Sequence, residues 1–169
     1  MKNQFIELPV LTRDGKFIAH YSEKGLAEID WPKAKRASSR AVKKEIVPAK
    51  IKNWHRTTET ALKNILAGKK SQLPPLDWNG ATDFQKSVWQ QMLKISTGKT
   101  KSYGEIAEQI GKPKAVRAVG GACGANPIPV LVPCHRVLAA NKKLGGFSGG
   151  LDWKRKLLAR EGIKLPSAG

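Results

Sequence analysis

The stretch Ser102-Tyr-Gly-Glu-Ile-Ala-Glu-Gln-Ile-Gly-Lys-Pro-Lys-Ala-Val-Arg-Ala-Val-Gly-Gly-Ala-Cys-Gly124 predicts two short helices joined by a tight turn. Ser102 is a suitable N-cap for the first helix, and Glu105 lies in its first turn. Pro113 is suited to the start of the second helix, which we expect to run to about Gly124. Two helices in this order form a helix-turn-helix, a motif that many DNA-binding proteins share.

The exposed face of the second predicted helix has almost no large side chains. Ala115, Ala118, Gly121 and Ala122 are small, and the paired glycines lower helix stability. Such a face allows close approach to another surface, for example a DNA groove. Arg117 would then be the long basic side chain that enters the base stack where a nucleotide has been rotated out. Close packing against another helix explains the same spacing equally well.

The composition favours a polyanionic partner. The chain of 169 residues has 31 Lys and Arg against 13 Asp and Glu, a net charge of +18. Such a surface attracts nucleic acid first, although a merely basic protein is the simpler alternative. Two cysteines exclude a disulfide framework, and with three histidines we expect no metal and no cofactor. Because we see no signal peptide and no membrane-spanning run, we expect a cytoplasmic protein that associates with the nucleoid through DNA.

The first part of the chain predicts a small α/β unit. Residues 4–31 read as an antiparallel meander with turns at Asp14-Gly15 and Lys24-Gly25. The stretch 32–52 is rich in Lys and Arg and suggests a basic connector. A helix is expected from about Trp54 to Ala67.

The remainder predicts helices. Thr82 and Gln85 have the spacing of a capping box that opens a helix, which we expect to end at Gly98. The expected fold class is therefore α+β. A structural domain over 1–80 precedes a mostly helical domain over 81–169 that contains the helix-turn-helix.

The segment Asn126-Pro-Ile-Pro-Val-Leu-Val-Pro-Cys-His-Arg-Val137 places a cysteine in a rigid turn. Its three prolines exclude a regular helix, and its apolar residues bury it. A thiol with a pKa of about 8.5 needs a base to become a nucleophile, and His135 is adjacent to Cys134. Glu161 is a candidate to orient that imidazole, as in other nucleophile–base–carboxylate sites. An inert core cysteine is the alternative, and we assign Cys123 to that structural class.

The cysteine segment and its surroundings together resemble a known family. Pro133-Cys134-His135-Arg136-Val137 is similar to the active-site motif of the O6-alkylguanine-DNA alkyltransferases, also called methylated-DNA–protein-cysteine methyltransferases. Over residues 83–163 further family motifs follow in order: Phe84-Gln85, Val88-Trp89, Ser102-Tyr103-Gly104, Ala118-Val119-Gly120, Asn126-Pro127, Gly149-Gly150, Lys154, Leu157-Leu158 and Glu161-Gly162. The first 80 residues resemble the family only loosely.

The resemblance implies roles for the reacting groups. Cys134 would accept the alkyl group, His135 would form the thiolate through a water, and Glu161 would polarise His135. Tyr103 would help rotate the nucleotide and donate to N3 of guanine. Asn126 would brace the turn between the DNA-binding helix and the active site.

The resemblance also implies how DNA is held. Arg117 would replace the extruded base, and further DNA contacts would come from Ser102, Lys114, Ala118, Gly121, Ala122 and Arg136. The Ser148 backbone N–H would bind O6, and the Cys134 and Val137 carbonyls would accept the 2-amino group. The pocket would be lined by the 145–150 loop, which includes Phe147, Ser148 and Gly149. Further lining residues would be Tyr103, Pro129, Val130, Val137 and Lys154.

The implied protein is a monomeric methyltransferase that repairs DNA. It would take an alkyl group from O6-alkylguanine in double-stranded DNA once per molecule, with O4-alkylthymine as a further candidate substrate. Its fold would join a ribonuclease-H-like N-terminal domain to a winged-helix-like C-terminal one. This sequence departs from the family at Phe147, where relatives often have Tyr, and in lacking the zinc ligands that some relatives carry.

Three alternatives remain open from the sequence. An alkyltransferase-like protein binds the same lesions without an acceptor cysteine, so Cys134 argues against that class. A helix-turn-helix regulator explains the charge but leaves Pro133-Cys134-His135 without a role. A cysteine hydrolase would turn over repeatedly on an acyl substrate.

Overall fold

A three-stranded antiparallel sheet forms the N-terminal part of the protein. The computed structural model describes residues 5–32 and 46–166. Strands β1 (Ile6–Thr12), β2 (Gly15–Tyr21) and β3 (Leu26–Asp30) pair in the order β1-β2-β3. The predicted meander is confirmed. One sheet face is buried because Val10, Phe17 and Tyr21 lie on it in alternate positions.

Helix α1 (Ala49–Leu66) packs against this sheet with a stripe of buried residues that includes Leu62. It begins before the predicted Trp54, because Pro48 occupies the N-cap and amides in the first turn bond back to its carbonyl. Residues 49–52, which we assigned to the connector, are therefore helical. Residues 33–45 of that connector lie outside the described part of the chain.

The second half is mostly helical. Helix α2 (Asp83–Leu93) starts at the predicted capping box, but it ends before Gly98 because the chain tightens into a turn at Lys94 and Ile95. Strand β4 (Lys101–Ser102) leads into α3 (Tyr103–Gln109), whose capping box is also present.

The two helices of the motif are followed by the cysteine segment and a last helix. Helix α4 (Val116–Gly124) begins after Pro113, because a turn from Lys112 to Ala115 precedes it. Strand β5 (Val137–Leu138) pairs in parallel with β4, and α5 (Leu151–Arg160) is the last helix of the described residues. The β4–β5 pairing brings the start of α3 next to the segment that carries Cys134.

One continuous core joins the sheet, α1 and the C-terminal helices. Two contacts tie the sheet to α5: Phe17 packs edge-on against Trp153, and Arg160 bonds Asp14 at 2.7 and 2.8 Å. The protein is thus an α+β fold in which the N-terminal part packs against α5. Within the described residues, no helix has the length and apolarity needed to cross a membrane.

Candidate active site

The cysteine turn is held in a strained backbone conformation. Val130, a fully buried β-branched residue, has φ +72°, and the Leu131 amide donates across it to Pro129 O at 2.9 Å. The side chain of Asn126 clamps both ends of this turn. Its Nδ2 donates to Val132 O at 2.8 Å, and its Oδ1 accepts from the Ile128 amide at 3.0 Å. Strain held in this way is typical of functional sites.

His135 and Glu161 form a buried pair. His135 Nε2 lies 2.9 Å from Glu161 Oε1, and both side chains are almost fully buried. Because an ionised carboxylate only accepts, Nε2 carries the proton and Nδ1 keeps its lone pair. Nδ1 is buried and has no hydrogen-bond partner among the described residues. The imidazole therefore presents an unused acceptor beside Cys134.

The charge of Glu161 is fixed by two partners. Burial by itself would raise the pKa of Glu161, but hydrogen bonds from His135 and Arg136 outweigh it and lower that pKa to about 2. Burial lowers the pKa of His135, and Glu161 opposes this effect. The resting site is thus a neutral imidazole held by a carboxylate.

Arg136 is a correction to the sequence analysis. Its guanidinium bonds Glu161 at 2.7–3.1 Å, Ile95 O at 2.8 Å and Thr97 Oγ1 at 3.2 Å, and the residue is 7% exposed. The expected contact with DNA is wrong, because the fork of donors points inward and is used there. Arg136 holds Glu161 instead.

The thiol of Cys134 is buried and resists ionisation in the resting protein. Burial raises its pKa, while the Asn126 amide and the Lys154 ammonium oppose that rise. Cys123 shows the same effect, with a pKa raised by burial to about 12. A base is therefore needed at Cys134, and His135 is the one in place.

Lys154 is a buried cation that organises the 145–150 loop. Its Nζ donates to Val137 O at 2.8 Å, to Gly146 O at 3.3 Å and to Leu144 O. The residue is 1% exposed, and burial lowers its pKa. The sequence analysis placed Lys154 in the pocket wall. The structure places it behind that wall, where it fixes the loop backbone.

A cavity of about 650 Å³ opens on the helix-turn-helix face. It brings together five residues expected at the site, Tyr103, Arg117, Gly146, Phe147 and Ser148, with three that were not expected: Val116, Gly120 and Gly124. Cys134 is not among the residues that line the cavity and is 5% exposed. Burial raises the pKa of Tyr103, followed by Cys123 and, to a smaller extent, Cys134.

Of the remaining residues predicted to bind DNA, some are exposed and others are partly or fully buried. Ala118, Gly121 and Lys114 are exposed, and Ser102 is half-buried with its hydroxyl capping α3. Ala122 is a second correction: it is buried, and its carbonyl accepts from Trp89 Nε1 at 2.8 Å. Helical rotation turns it away from the face shared by the exposed residues.

Three other predicted residues lie next to the cysteine rather than along the cavity. Pro129, Val130 and Val137 are buried and do not line the cavity. Trp31 was missed by the sequence analysis. It follows β3 and contacts Phe147 and Gly149. No local pattern connects residues so far apart in the chain.

A helix-turn-helix face with a cavity, and a cysteine followed in the chain by a histidine that pairs with a buried glutamate, are the features expected of a DNA-binding protein with a reactive cysteine. Residues 83–163 match the family model for the 6-O-methylguanine DNA methyltransferase DNA-binding domain. A methylated-DNA–protein-cysteine methyltransferase of Methanosarcina acetivorans is 40% identical over 88% of this chain and 92% of its own. The chain belongs to the methylated-DNA–protein-cysteine methyltransferase family.

Two mycobacterial relatives extend the comparison. The Mycobacterium bovis methylated-DNA–protein-cysteine methyltransferase is 55% identical over 54% of this chain, and the match spans only 55% of that relative. The crystal structure of Mycobacterium tuberculosis OGT in complex with DNA is 35% identical, covers 92% of each chain and has a TM-score of 0.69. The likeness to a solved structure therefore includes the N-terminal part, where the sequence resemblance is loose.

Proposed function

We propose that this protein repairs double-stranded DNA by transferring the alkyl group of O6-alkylguanine to the sulfur of Cys134. The observation that carries the proposal is the buried Nδ1 of His135, an acceptor without a hydrogen-bond partner among the described residues, in the residue that follows Cys134. Family membership supplies the substrate class, because the relatives named above are methylated-DNA–protein-cysteine methyltransferases.

The transfer is a single displacement at carbon. The Cys134 proton passes through a water to His135 Nδ1, and Glu161 stabilises the imidazolium that forms. The thiolate attacks the alkyl carbon, so an S–C bond forms while the C–O6 bond breaks and its electron pair goes to guanine. The guanine anion is stabilised by donors at N3 and O6, for which we propose the Tyr103 hydroxyl and the Ser148 amide, and it then takes up a proton.

The product explains why the reaction would occur once. A thioether is a poor leaving group, and the second displacement that would free Cys134 requires a further nucleophile. Cys123 is buried in the core and has a pKa raised to about 12, so it is unsuited to that task. We therefore propose a stoichiometric reaction, with the alkylated protein as an end product.

We propose that α4 faces the DNA. Ala118 and Gly121 are exposed and small, so the helix axis can approach the duplex closely. Arg117 is exposed, lines the cavity and can occupy the space left by the extruded nucleotide. The nucleotide would enter the cavity from this face. The 145–150 loop and Tyr103 would then have to shift, because Cys134 is nearly closed off at rest.

The domain types, the oligomeric state, a second substrate and the location in the cell are also proposed. We propose that residues 1–80 form a ribonuclease-H-like structural domain and residues 81–169 a winged-helix-like domain that acts as a monomer. O4-alkylthymine remains a candidate second substrate. Because the proposed substrate is chromosomal, we also propose the cytoplasmic and nucleoid-associated location that the sequence led us to expect.

The proposal is tested by mixing the protein with an excess of duplex containing O6-methylguanine. We expect a burst in which one guanine is restored per protein molecule, followed by no turnover. Cys134→Ser should restore none and should still bind the lesion. A wild-type protein that binds the lesion but restores no guanine would instead be a lesion-binding protein, and continued turnover would exclude the displacement described above.

A further inference from the structure

The aromatic cluster between the sheet and the 145–150 loop has no role in the chemistry described so far. Trp31 lies at its centre, 5.8 Å from Phe17, 5.0 Å from Trp153 and 5.5 Å from Phe147 between ring centroids. The contact with Phe147 is edge-on, at 70°. Phe147 lines the cavity, so a residue of the N-terminal part supports the cavity wall from behind.

The indole of Trp31 also presses on the loop backbone. A Cβ placed on Gly149 would lie 2.5 Å from Trp31 Cε2 and 2.6 Å from Cζ2, closer than carbon atoms approach. The two therefore fit together only while residue 149 is glycine. Lys154 Nζ lies 5.8 Å from the Phe147 ring centre and donates to the carbonyls of Val137, Leu144 and Gly146. Phe147 is thus in contact with both a buried cation and an indole.

We propose that Trp31 is a specificity-determining residue, which limits the size of the O6 substituent by holding Phe147 and Gly149 toward the cavity. This inference rests on the proposed function. A methyl group needs little room beyond that of the purine, whereas a benzyl group needs the wall to retreat. Packed side chains resist such movement, because each displaced ring loses its dispersion contacts.

The test measures a ratio within each variant, namely the rate constant for O6-benzylguanine in duplex DNA over that for O6-methylguanine in the same duplex. We expect Trp31→Ala to raise this benzyl-to-methyl ratio about five-fold or more. Trp31→Phe should stay close to the wild-type ratio, because a ring still fills the space. Trp54→Ala removes a tryptophan of α1 that contacts Lys50, and it should leave the ratio unchanged.

A second variant tests the contact itself. Gly149→Ala should slow both reactions about ten-fold or more in the presence of Trp31, because the new methyl group meets the indole and displaces the loop. In the Trp31→Ala background the same change should have much less effect, because the indole is gone. Equal losses in both backgrounds, or an unchanged benzyl-to-methyl ratio in Trp31→Ala, would overturn the inference. A wild-type protein that transfers neither group would instead overturn the proposed function.

Discussion

The proposed chemistry at Cys134 depends on three neighbouring side chains, each with a different role. Arg136 holds Glu161, Glu161 accepts the Nε2 proton of His135, and the unpartnered Nδ1 is the base that we propose for the thiol. The sequence predicted the cysteine, the histidine and the glutamate, because their types and family motif allow few other roles. It placed Arg136 on DNA, because a basic residue in a basic protein carries no local sign of which way it points.

The first prediction concerns the acid stability of this site. The pKa of Glu161 is lowered from an ordinary 4.5 to about 2 in the folded protein. Its charged form therefore contributes stability above pH 4.5, and this contribution is lost as the pH falls toward 2. Glu161→Gln should lose about 3 kcal/mol at pH 7, because Arg136 keeps a buried charge without its partner.

Thermal unfolding of both proteins between pH 7 and pH 2 checks this prediction. The difference in stability between wild type and Glu161→Gln should shrink toward the acid end. Glu108→Gln, an exposed change on α3, is the control and should follow the wild-type curve. A constant difference across the whole range would contradict the assigned pair.

At the scale of elements, the pairing of β4 with β5 is the feature that makes the site. It places the start of α3, where Tyr103 lines the cavity, next to the segment that carries Cys134. The helices were predictable because capping boxes and apolar periodicity are local signals. The two-residue strands were not, since their stability comes from a pairing between distant segments.

Arg117 is expected to act on the duplex and not on the transfer step. Arg117→Ala should slow repair of O6-methylguanine in duplex DNA by about ten-fold or more, because the extruded state loses the side chain that fills the gap. Reaction with free O6-benzylguanine, which needs no extrusion, should change little. Parallel rate measurements on the two substrates decide the matter, and equal losses would exclude the intercalating role.

Gly121 tests whether α4 approaches the DNA closely. A Cβ at this exposed position meets no atom within 4 Å, so the protein itself can accept a side chain there. Gly121→Leu should keep or raise the unfolding temperature, because leucine favours a helix by up to about 1 kcal/mol over glycine. It should nevertheless weaken duplex binding. A bound fraction equal to wild type in a titration would place another surface against the DNA.

At the scale of the whole molecule, two kinds of contact connect the N-terminal part to the site. Trp31 supports the cavity wall, and Asp14 holds Arg160, the residue before Glu161. Neither contact could be predicted, because each joins residues that are more than a hundred positions apart in the chain and that no local pattern connects. The sheet and α1 were predictable as elements, but their bearing on the site required the three-dimensional fold.

The net charge of +18 predicts a strong dependence of DNA binding on salt. Each phosphate that a lysine or arginine neutralises releases counterions, so the logarithm of the binding constant should fall linearly with that of salt. Titrations of a lesion-bearing duplex at several salt concentrations measure the slope. Reaction with free O6-benzylguanine is the control and should depend only weakly on salt. A flat slope for the duplex would mean that the charge is spread over surfaces that DNA does not touch.

In the proposed reaction, the sulfur of Cys134 receives the alkyl group. The most direct measurement is peptide mapping by mass spectrometry after the protein has reacted with duplex carrying isotopically labelled O6-methylguanine. We predict one labelled methyl on the peptide that contains Cys134 and none on the peptide that contains Cys123. Label on Cys123, or guanine restored with no label on Cys134, would contradict the account.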